Sequence, residues 1–427
     1  MKANSYDLIV VGGGIAGWWT AVSAKAGNPD LRVLVIRGEG PVTYSAPSLP
    51  DVISGHIPPE KAVIAREKDF RERGIELLSN TRVIGADADA KRITTDGGGQ
   101  YAYRWLVLAT GSQPIRPRRI PGTDLPGNYV LKTLEDAEFL ALAKVRRAVV
   151  VGSGAIGLES ASALKERGVE EVTLVEALDW LNPKSFDVQA SGYMRAALER
   201  AGVRVLTGEG ITSVTGQGRV EAVRTSQREI PCELVLWGVG MRPVTDLAVS
   251  MGAALGNYGG IRVDERMRTS LPDVYAAGDC TEPYDLFFKE NRPNMLWRTA
   301  TEQGMLIGGL LSGREPDGAY EGARLLFLTY VGESPACAYG YTEGMLKGRR
   351  YTVLEDSRER TYRKVLIRNR RIAGFQMVGT LEGANELYAW MVKGAPVERN
   401  FSRDASAVPL KNLALSAYLS QIPPRIL

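Results

Sequence analysis

The strongest constraint on the fold is a pattern that occurs twice along the chain. A run of β-branched apolar residues ends in a G-x-G-x-x-G turn, and a stretch rich in Ala, Ser, Leu and Lys follows before a second apolar run. The two copies read YDLIVVGGGIAGWWTAVSAKAGNPDLRVLVIRGE and RAVVVGSGAIGLESASALKERGVEEVTLVEA. Such apolar runs predict strands, and the stretch between them predicts a helix. The chain is therefore expected to form two α/β units that each begin strand, tight turn, helix, strand.

The glycine turns predict dinucleotide binding. The first glycine permits the bend, the second lets the backbone approach a pyrophosphate, and the third lets the helix pack on the strand. The helix N-terminus then directs free N–H groups and a positive dipole toward the anion. An acid about 20 residues further on accepts the ribose hydroxyls. The second copy supplies Glu176 and the first supplies Glu39, while Arg37 occupies the more usual position of the acid.

Composition excludes several other classes of protein. The chain of 427 residues is long enough for two or three domains, and its net charge of +4 is too small for a general nucleic-acid binder. Three widely spaced cysteines and one histidine predict neither a metal centre nor Cys–His or Ser–His chemistry. The sequence has no signal-peptide pattern and no apolar run of the roughly 18 residues that span a bilayer. We therefore expect a soluble cytoplasmic protein without an integral membrane segment.

Further motifs lie between and after the glycine turns. One strand ends in Ala109, Thr110 and Gly111, and later segments read LVLWGVGMRP and TSLPDVYAAGDC. From about Leu325 the pattern changes to short alternating strands and then a helical stretch, which predicts a third, α+β domain. The end of the chain, PLKNLALSAYLSQIPPRIL, has apolar residues at helical spacing and predicts a helix that contacts a partner or another domain.

Together these motifs resemble the pyridine-nucleotide–disulfide oxidoreductase superfamily over nearly the whole chain. The resemblance rests on both glycine turns, the ATG at 109–111, the GMRP at 240–243 and the AAGD at 276–279. It implies an α/β fold like that of glutathione reductase, with two Rossmann-like dinucleotide-binding domains plus a C-terminal α+β interface domain that commonly mediates homodimers. The implied boundaries are 1–118 with 244–324 for FAD, 119–243 for NAD(H), and 325–427 for the interface domain.

The resemblance also implies which residues contact FAD. They lie in the first glycine turn, the acid after it, the loop after the second strand, the ATG and AAGD motifs, and the helix that begins WRTATEQG. These residues are Gly12, Gly14, Ile15, Ala16, Gly17, Glu39, Pro47, Ala109, Thr110, Gly111, Gly278, Asp279, Trp297 and Gln303. The dipole of the WRTATEQG helix would stabilise negative charge on the reduced flavin.

The second half of the resemblance concerns the pyridine nucleotide. The residues expected to contact it are Gly152, Gly154, Ile156, Gly157, Glu176 and Gly240. Glu176 would accept hydrogen bonds from the adenosine ribose and repel a 2′-phosphate, and no basic residue follows it before Lys184, so NADH is favoured over NADPH. Glu159, the candidate catalytic residue, resembles a family glutamate that positions the nicotinamide. Its alternative role is that of a first-turn helix acid favoured by the dipole.

The electron acceptor is expected to lie outside the protein. Disulfide reductases of the superfamily carry a cysteine pair after the first glycine turn or near the second, and other members use one cysteine in the loop after the second strand. That loop here reads VTYSAPSLPDVISGHI, and Ser45 cannot replace a redox thiolate. The loop is similar to PYSRPxLP of rubredoxin and ferredoxin reductases and of NADH-dependent nitrite reductases, with Ala46 in place of the arginine. Cys280 follows the AAGD motif, where cysteine is common, and Cys232 and Cys337 have the context of buried residues.

A basic segment indicates the kind of partner. Between Gly340 and Phe375 the chain has ten Lys or Arg residues and four acidic ones. Such a surface would steer an acidic electron carrier of the ferredoxin or rubredoxin type, although alternating charges on strands are more often a solvated face. The leading hypothesis is a homo-oligomeric, FAD-dependent NADH oxidoreductase that serves such a carrier or a partner enzyme. The alternatives are an NADH oxidase or quinone or small-acceptor reductase, and a redox-sensing flavoprotein.

Overall fold

A computed structural model describes residues 4–314, 322, 324 and 326–397. The helix predicted from Pro409 onward lies outside these residues. The described residues form two compact units. Taking only described residues, the first unit is drawn from Met1–Arg116, Val130–Ala143 and Gly240–Leu325, and the second from Pro117–Tyr129, Lys144–Val239 and Leu326–Leu427. The three-domain boundaries expected from the sequence stay a prediction.

The described chain contains both helices and strands, with several runs of consecutive strands. The α-helices are α1 Ile15–Gly27, α2 Leu49–Ser54, α3 Pro59–Ala62, α4 Glu67–Glu72, α5 Leu134–Leu142, α6 Ala155–Glu166, α7 Val188–Arg200, α8 Asp246–Ser250, α9 Trp297–Leu311 and α10 Ala384–Lys393. The strands are β1 Ser5–Val11, β2 Val33–Ile36, β3 Val42–Tyr44, β4 Val63–Arg66, β5 Ile75–Leu78, β6 Val83–Asp87, β7 Arg92–Thr95, β8 Gln100–Leu108, β9 Ser112–Pro114, β10 Asn128–Tyr129, β11 Arg147–Val151, β12 Glu171–Glu176, β13 Val203–Thr207, β14 Ile211–Thr215, β15 Ala222–Thr225, β16 Glu229–Pro231, β17 Leu234–Trp237, β18 Met241–Pro243, β19 Ile261–Arg262, β20 Val274–Ala276, β21 Thr281–Glu282, β22 Tyr284–Asp285, β23 Glu290–Asn291, β24 Phe327–Val331, β25 Ser334–Gly340, β26 Thr352–Ser357, β27 Tyr362–Arg368 and β28 Arg371–Val378. Short 3₁₀ helices lie at Ala46–Ser48, Gly278–Cys280 and Gly344–Leu346.

The first unit is built on a sheet with the strand order β5-β2-β1-β8-β7-β6, to which β20 adds by pairing with β8. The pairings of β1 with β2 and β8, of β2 with β5 and of β20 with β8 are parallel, whereas β6 and β7 pair antiparallel. A parallel sheet is covered on both faces, which is why β2 reads as the continuous buried run VLVI.

Helices α1 and α9 pack closely together in this unit. A Cβ on Gly304 would lie 2.4 Å from the Ala16 carbonyl oxygen, and one on Gly308 would lie 2.4 Å from the Thr20 carbonyl oxygen. The two glycines therefore let the backbones of the two helices approach. Trp18 of α1 belongs to the core: it is 6% exposed and meets the Phe70 ring edge-on at 4.7 Å between centroids.

The second unit contains a parallel sheet with the strand order β10-β17-β11-β12-β13. It also contains an antiparallel sheet with the order β24-β25-β28-β27-β26 and a smaller one of β14, β15 and β16. The mainly parallel sheet of the first unit and the parallel sheet of the second are Rossmann-like. Together with the antiparallel sheet and α10 near the end of the described chain, they confirm the predicted α/β class. None of the helices that the structure describes has the length and apolar character needed to cross a membrane.

A buried charged cluster joins the antiparallel sheet of the second unit to the start of α7. Lys364 on β27 has a side chain only 1% exposed, and its Nζ donates to Glu343 and lies 3.7 Å from Asp187 Oδ2 and 3.9 Å from Glu355 Oε1. Gln376 Nε2 donates to Asp187 Oδ2 at 2.7 Å. A buried ammonium group is tolerated here because carboxylates surround it.

Candidate functional site

The first glycine turn lies between β1 and α1 and is held by contacts that require glycine. Gly12 has a φ of +119°, and its N–H donates to the Ile36 carbonyl at 2.8 Å. A Cβ on Gly12 would lie 2.0 Å from the Ala109 carbonyl oxygen, and one on Gly17 would lie 1.9 Å from the Gly12 carbonyl oxygen. The strand end that carries the ATG motif therefore touches the turn directly.

The AAGD motif and helix α9 meet the same region of the first unit. The N–H of Gly278 donates to Gln303 Oε1 at 2.7 Å, and a Cβ on Gly278 would lie 3.1 Å from the Cβ of Ala16. Ser112 Oγ, which follows the ATG motif, donates to Asp279 Oδ2 at 2.7 Å. Four segments far apart in sequence are thus brought together around the start of α1.

Helix α9 begins at Trp297 without a side-chain cap. The preceding Leu296 has no side-chain oxygen, so the first N–H groups of this 15-residue helix remain open to a ligand. Asn294 lies three residues before the helix and is 3% exposed, yet neither its amide nitrogen nor its amide oxygen has a hydrogen-bond partner. A buried orphaned amide beside an open helix N-terminus indicates a place for a polar ligand.

These residues of the first unit fit a bound FAD. No atom lies within 4 Å of the place that a Cβ on Gly14 or Gly111 would occupy, so the backbone is open there. Gly111 also has a φ of +70°, and Thr110 Oγ1 donates to the Val244 carbonyl at 2.6 Å, which fixes the bend after β8. Open glycine backbone at a helix N-terminus is what a cofactor pyrophosphate requires.

The acid of the first unit, Glu39, is held through one of its two oxygens. Its Oε2 accepts hydrogen bonds from Tyr44 Oη at 3.0 Å and from Arg37 Nη2 at 3.3 Å. Burial raises the pKa of Tyr44, and the neighbouring Glu39 raises it further, so this hydroxyl stays protonated and donates. Within the described residues Oε1 accepts no hydrogen bond, and the side chain is 43% exposed, so this oxygen is open to ribose hydroxyls.

The second glycine turn, between β11 and α6, repeats the construction of the first. Gly152 has a φ of +97°, and its N–H donates to the Val175 carbonyl at 2.8 Å. A Cβ on Gly157 would lie 1.9 Å from the Gly152 carbonyl oxygen, and a Cβ on Gly152 would lie 2.6 Å from the Gly238 carbonyl oxygen. Gly238, just after β17, therefore closes this turn from the neighbouring strand.

Glu176 lies at the end of β12 and is bound to the second turn. Its Oε2 accepts from the Ser153 N–H at 2.9 Å and from Ser153 Oγ at 2.5 Å, and its Oε1 accepts from the Leu178 N–H at 2.9 Å. Ser153 Oγ in turn accepts from the Asn182 N–H at 2.8 Å. The carboxylate is therefore fixed in orientation beside the turn.

This part of the second unit fits a dinucleotide as well. A Cβ on Gly154 would meet no atom within 4 Å, so the backbone at the start of α6 is open. Asn182 Nδ2 and Ser160 Oγ are buried without a hydrogen-bond partner. Asn182 lies beside the turn, because its N–H donates to Ser153 Oγ, and an unpaired amide there together with the open N-terminus of α6 suits the phosphates and ribose of a pyridine nucleotide.

Glu159 contacts the antiparallel sheet of the second unit. Its Oε1 accepts a hydrogen bond from Thr329 Oγ1 of β24 at 2.7 Å. One helical turn later, Ser162 Oγ accepts from the Gly332 N–H at 2.9 Å. The second and third turns of α6 are therefore tied to β24 and to the residue that follows it. The first turn of α6 holds no acid, so Glu159 is not the first-turn helix acid of the alternative interpretation. Its proposed contact with the nicotinamide stays a prediction.

Of the remaining predicted residues, some begin the helices that follow the glycine turns and the others lie elsewhere. Ile15 and Ala16 open α1, and Ile156 is the second residue of α6. Pro47 is exposed in the 3₁₀ helix after β3. Gly240, expected beside the pyridine nucleotide, belongs to the first unit, where its carbonyl accepts from the Ile115 N–H at 2.9 Å.

Sequence reasoning missed several residues of these sites. Ser153, Asn182 and Gly238 in the second unit and Asn294 in the first were not expected to take part. Ser153 could have been predicted, because it lies inside the second glycine turn and the acid Glu176 was expected beside that turn. Asn182 and Asn294 lie in loops, and only the three-dimensional structure shows that their side chains are buried without partners.

The comparison with known proteins settles the family. The model of the pyridine nucleotide-disulphide oxidoreductase family matches residues 6–304. The chain belongs to this family. This oxidoreductase is 33% identical over 317 residues to an NADH oxidase from Methanocaldococcus jannaschii, which covers 72% of this chain and 70% of the relative.

Solved structures of two other relatives share the fold. An NAD-dependent persulfide reductase from A. fulgidus is 27% identical with a TM-score of 0.85, over 91% of this chain and 77% of that one. A ferredoxin reductase from Rhodopseudomonas palustris is 26% identical with a TM-score of 0.83, over 94% of this chain and 98% of that one. The protein is an NAD(P)H-dependent flavoprotein oxidoreductase.

The cysteines of this oxidoreductase are all buried and free. Burial raises the pKa of Cys232 to about 12 and that of Cys337 to about 12. Burial also raises the pKa of Cys280, whose Sγ donates to the Ala277 carbonyl at 3.3 Å and to the Leu108 carbonyl at 3.4 Å. A thiol must ionise to act as a redox nucleophile, and none of these three is placed to do so.

Proposed function

We propose that this protein is an FAD-dependent NADH oxidoreductase that passes electrons to an acceptor outside the chain, and that an acidic electron-carrier protein is that acceptor. The observation that carries the proposal is the state of the cysteines. All three are buried with raised pKa values, and the loop after β2 holds Ser45 where relatives hold a redox cysteine. Without a protein thiol, electrons have to leave for an external acceptor.

In this proposal the chain binds and orients two cofactors. Bound FAD would accept a hydride from NADH and give up electrons to the acceptor. Gly14 would let the backbone approach the FAD pyrophosphate, while Gly12 and Gly17 shape the turn. Glu39 would hold the ribose, and the N-terminus of α9 would stabilise negative charge on the reduced flavin. Such positioning supplies most of the acceleration, because no acid–base step on the protein is needed.

We also propose a preference for NADH over NADPH. Glu176 is fixed beside the second turn by Ser153 and by the Leu178 N–H. A fixed carboxylate accepts hydrogen bonds from ribose hydroxyls and repels a 2′-phosphate. The first basic residue after it, Lys184, is exposed on the loop before α7.

The proposed docking surface for the carrier is one end of the antiparallel sheet of the second unit. Of the basic residues counted from the sequence, Lys364 and Arg363 are 1% and 9% exposed, which corrects their assignment to a surface patch. Thr352, at the start of β26, pairs with Ile367, near the end of β27. The start of β26 therefore lies at the same end of the sheet as the tight turn that joins β27 to β28. The basic end is defined as Lys347, Arg349, Arg350, Arg368, Arg370 and Arg371.

The opposite end of the same sheet provides a matched control. Arg358 and Arg360, in the connection of β26 to β27, lie 3.8 Å from Asp356 and 3.8 Å from Glu359 respectively. Their charges are therefore largely compensated, whereas the six cations of the basic end form no such ion pairs with other described residues. Uncompensated positive charge accelerates encounter with an acidic protein.

The first experiment is anaerobic stopped-flow reduction of the holoprotein by NADH and by NADPH, followed by oxygen, a quinone or an acidic ferredoxin in separate mixes. Fast bleaching of the flavin by NADH and reoxidation by the ferredoxin alone would support the proposal. Charge reversal of Arg349 and Arg350 to Glu should then slow the ferredoxin step about tenfold at low salt. Reversal of Arg358 and Arg360 should leave that step nearly unchanged, and equal effects of both pairs would reject the docking surface.

A second candidate function is an NADH oxidase or small-acceptor reductase. The NADH oxidase of M. jannaschii supports it, because that relative shares 33% identity with this chain. In that case oxygen or the quinone would reoxidise the reduced flavin as fast as turnover requires, and the ferredoxin would add nothing. The same set of mixes therefore separates the two candidates.

A further inference from the structure

Arg37 in the first unit occupies the position that Glu176 occupies in the second. The N–H of Gly12 donates to the carbonyl of Ile36, and the N–H of Gly152 donates to the carbonyl of Val175, each at 2.8 Å. Arg37 and Glu176 are the residues that directly follow these two acceptors. The first unit therefore has a cation at the position where the second unit has its ribose-binding acid.

The side chain of Arg37 runs directly beneath the glycine turn. It is 5% exposed. A Cβ on Gly13 would lie 2.9 Å from Arg37 Cδ and 3.2 Å from Arg37 Nε. The middle residue of the turn is thus glycine because the arginine fills the space that a side chain would need.

Arg37 also organises the segment that follows β2. Its Nη1 donates to the Val42 carbonyl and its Nη2 donates to Glu39 Oε2 at 3.3 Å. The next residue, Thr43, donates through Oγ1 to the Gly13 carbonyl at 2.7 Å, and Tyr44 Oη donates to Glu39 Oε2 at 3.0 Å. Hydrogen bonds therefore hold strand β3 against the first glycine turn. They also hold Glu39 to Arg37 and to Tyr44 of β3.

The Nε of Arg37 is buried and has no hydrogen-bond partner in the described residues. Burial lowers the pKa of this guanidinium, and the adjacent Glu39 acts in the opposite direction. An unpaired donor on a buried cation is costly, so a structure retains one where a ligand or another constraint compensates. Arg37 is thus more than a filler for the core.

We propose that Arg37 is a positioning residue for the adenosine half of FAD. Together with Tyr44 it holds Oε2 of Glu39 and leaves Oε1 for the ribose hydroxyls, so that an acid two residues further along does what the acid at the end of the strand does in the second unit. The proposal rests on the proposed function in one respect: the first unit has to bind FAD. It makes the arginine, which replaces the usual acid, a requirement for tight FAD binding.

The test is titration of the apoprotein with FAD and, separately, with FMN, followed by flavin fluorescence. FMN lacks the adenosine half and so cannot reach Glu39. Arg37→Met should weaken FAD binding about tenfold or more, which is the loss of one charge-assisted hydrogen bond, and should leave FMN binding unchanged. Tyr44→Phe should act in the same direction with a smaller effect, and it removes only one hydroxyl if Arg37→Met folds poorly.

A matched control is available in the same unit. Arg32 lies 3.6 Å from Glu76 in another arginine–glutamate pair, and Arg32→Met should leave the Kd values for both flavins unchanged. If Arg37→Met and Tyr44→Phe lose FAD and FMN affinity equally, their role is merely structural and the proposal is overturned. The proposal is also overturned if both variants bind FAD as tightly as the wild type. If the wild-type apoprotein binds no FAD, the proposed function itself fails, whatever the variants do.

Discussion

Arg37 and Glu176 lie at the same position of two repeated folds and carry opposite charges. In the second unit, Ser153 of the turn donates to the acid, whereas in the first unit Gly13 makes room for the arginine. The residue within the glycine turn and the residue at the end of the next strand therefore form one matched pair in each unit. The effect of a substitution at either residue should therefore depend on which residue occupies the other position.

The pair in the first unit can be tested by a double-mutant cycle. Gly13→Ala should lower the melting temperature and FAD affinity of the protein, because the new Cβ would lie 2.9 Å from Arg37 Cδ. In an Arg37→Ala background the same change should cost less, since Arg37 Cδ and Nε are gone and only the Cβ, 3.2 Å away, remains. Gly85→Ala in β6 of the same unit is the control, as no atom lies within 4 Å of its Cβ position and it belongs to no proposed site. Strict additivity of the two changes would contradict the pairing.

The pair in the second unit sets the response to the two nicotinamide nucleotides. Glu176→Gln removes the negative charge and should reduce the discrimination against NADPH, because repulsion of the 2′-phosphate disappears. Ser153→Ala removes the hydroxyl that holds Glu176 at 2.5 Å and should weaken NADH binding by about 1 kcal/mol, or roughly fivefold. The measurement is the Kd of each nucleotide for the oxidised holoprotein. A Glu176→Gln protein with an unaltered ratio of the two Kd values would refute the assigned role.

The role of Glu159 can be separated from its packing. Glu159→Gln should slow flavin reduction by NADH about tenfold with little change in NADH affinity, since a misplaced nicotinamide reacts slowly. Thr329→Val removes the donor at 2.7 Å and should act in the same direction more weakly. Ser162→Ala, which removes a different bond between α6 and the sheet, is the control for packing. If Ser162→Ala slows reduction as much as Glu159→Gln, the glutamate is structural.

The buried Lys364 should be essential for the stability of the second unit. Lys364→Met removes the cation that lies among Asp187, Glu343 and Glu355 and leaves the buried carboxylate of Asp187 without it, at a cost of up to about 3–5 kcal/mol. Thermal unfolding monitored by circular dichroism would show a large fall in the melting temperature. The exposed Lys347 of the basic end is the control, and Lys347→Met should unfold at the wild-type temperature.

The same cluster predicts a dependence on pH. Burial is the largest single influence on the pKa of Glu343 and raises it, but the hydrogen bond and the positive charge of Lys364, together with the hydrogen bond from Tyr351, outweigh burial and lower that pKa. The stability that Glu343 contributes is therefore present above the pKa of an unfolded glutamate and is lost as the pH falls through the lower folded value. Burial raises the pKa of Asp187, so ionisation of Asp187 makes the folded state less stable as the pH rises. The contribution of Glu343 is therefore isolated by comparing the melting temperatures of the wild type and Glu343→Gln at each pH. That difference in melting temperature should be large at neutral pH and vanish in acid; a constant difference would argue against the assignment.

The sequence predicts the parts of this structure that local pattern determines. Both glycine turns, their flanking strands and helices and the acids Glu39 and Glu176 could be read from spacing, because each depends on neighbours within about 25 residues. Burial of Lys364 could not, since its partner Asp187 lies far away in sequence and alternation on a strand is normally read as a solvated face. The position of Arg37 under Gly13 could not be predicted either, because the pattern shows only that the acid is absent.

The bonds from α6 to β24 have a consequence for the order in which the chain can fold. Glu159 and Ser162 find their partners in Thr329 and Gly332, about 170 residues later, and segment Gly240–Leu325 of the other unit is synthesised in between. During translation the face of α6 that later receives β24 stays exposed until the ribosome has made that strand. Contacts between residues so far apart in sequence slow folding, and until they form the incomplete chain exposes apolar surface. A nascent chain stalled before residue 327 should therefore bind chaperones. It should release them once β24 and β25 have emerged from the ribosome.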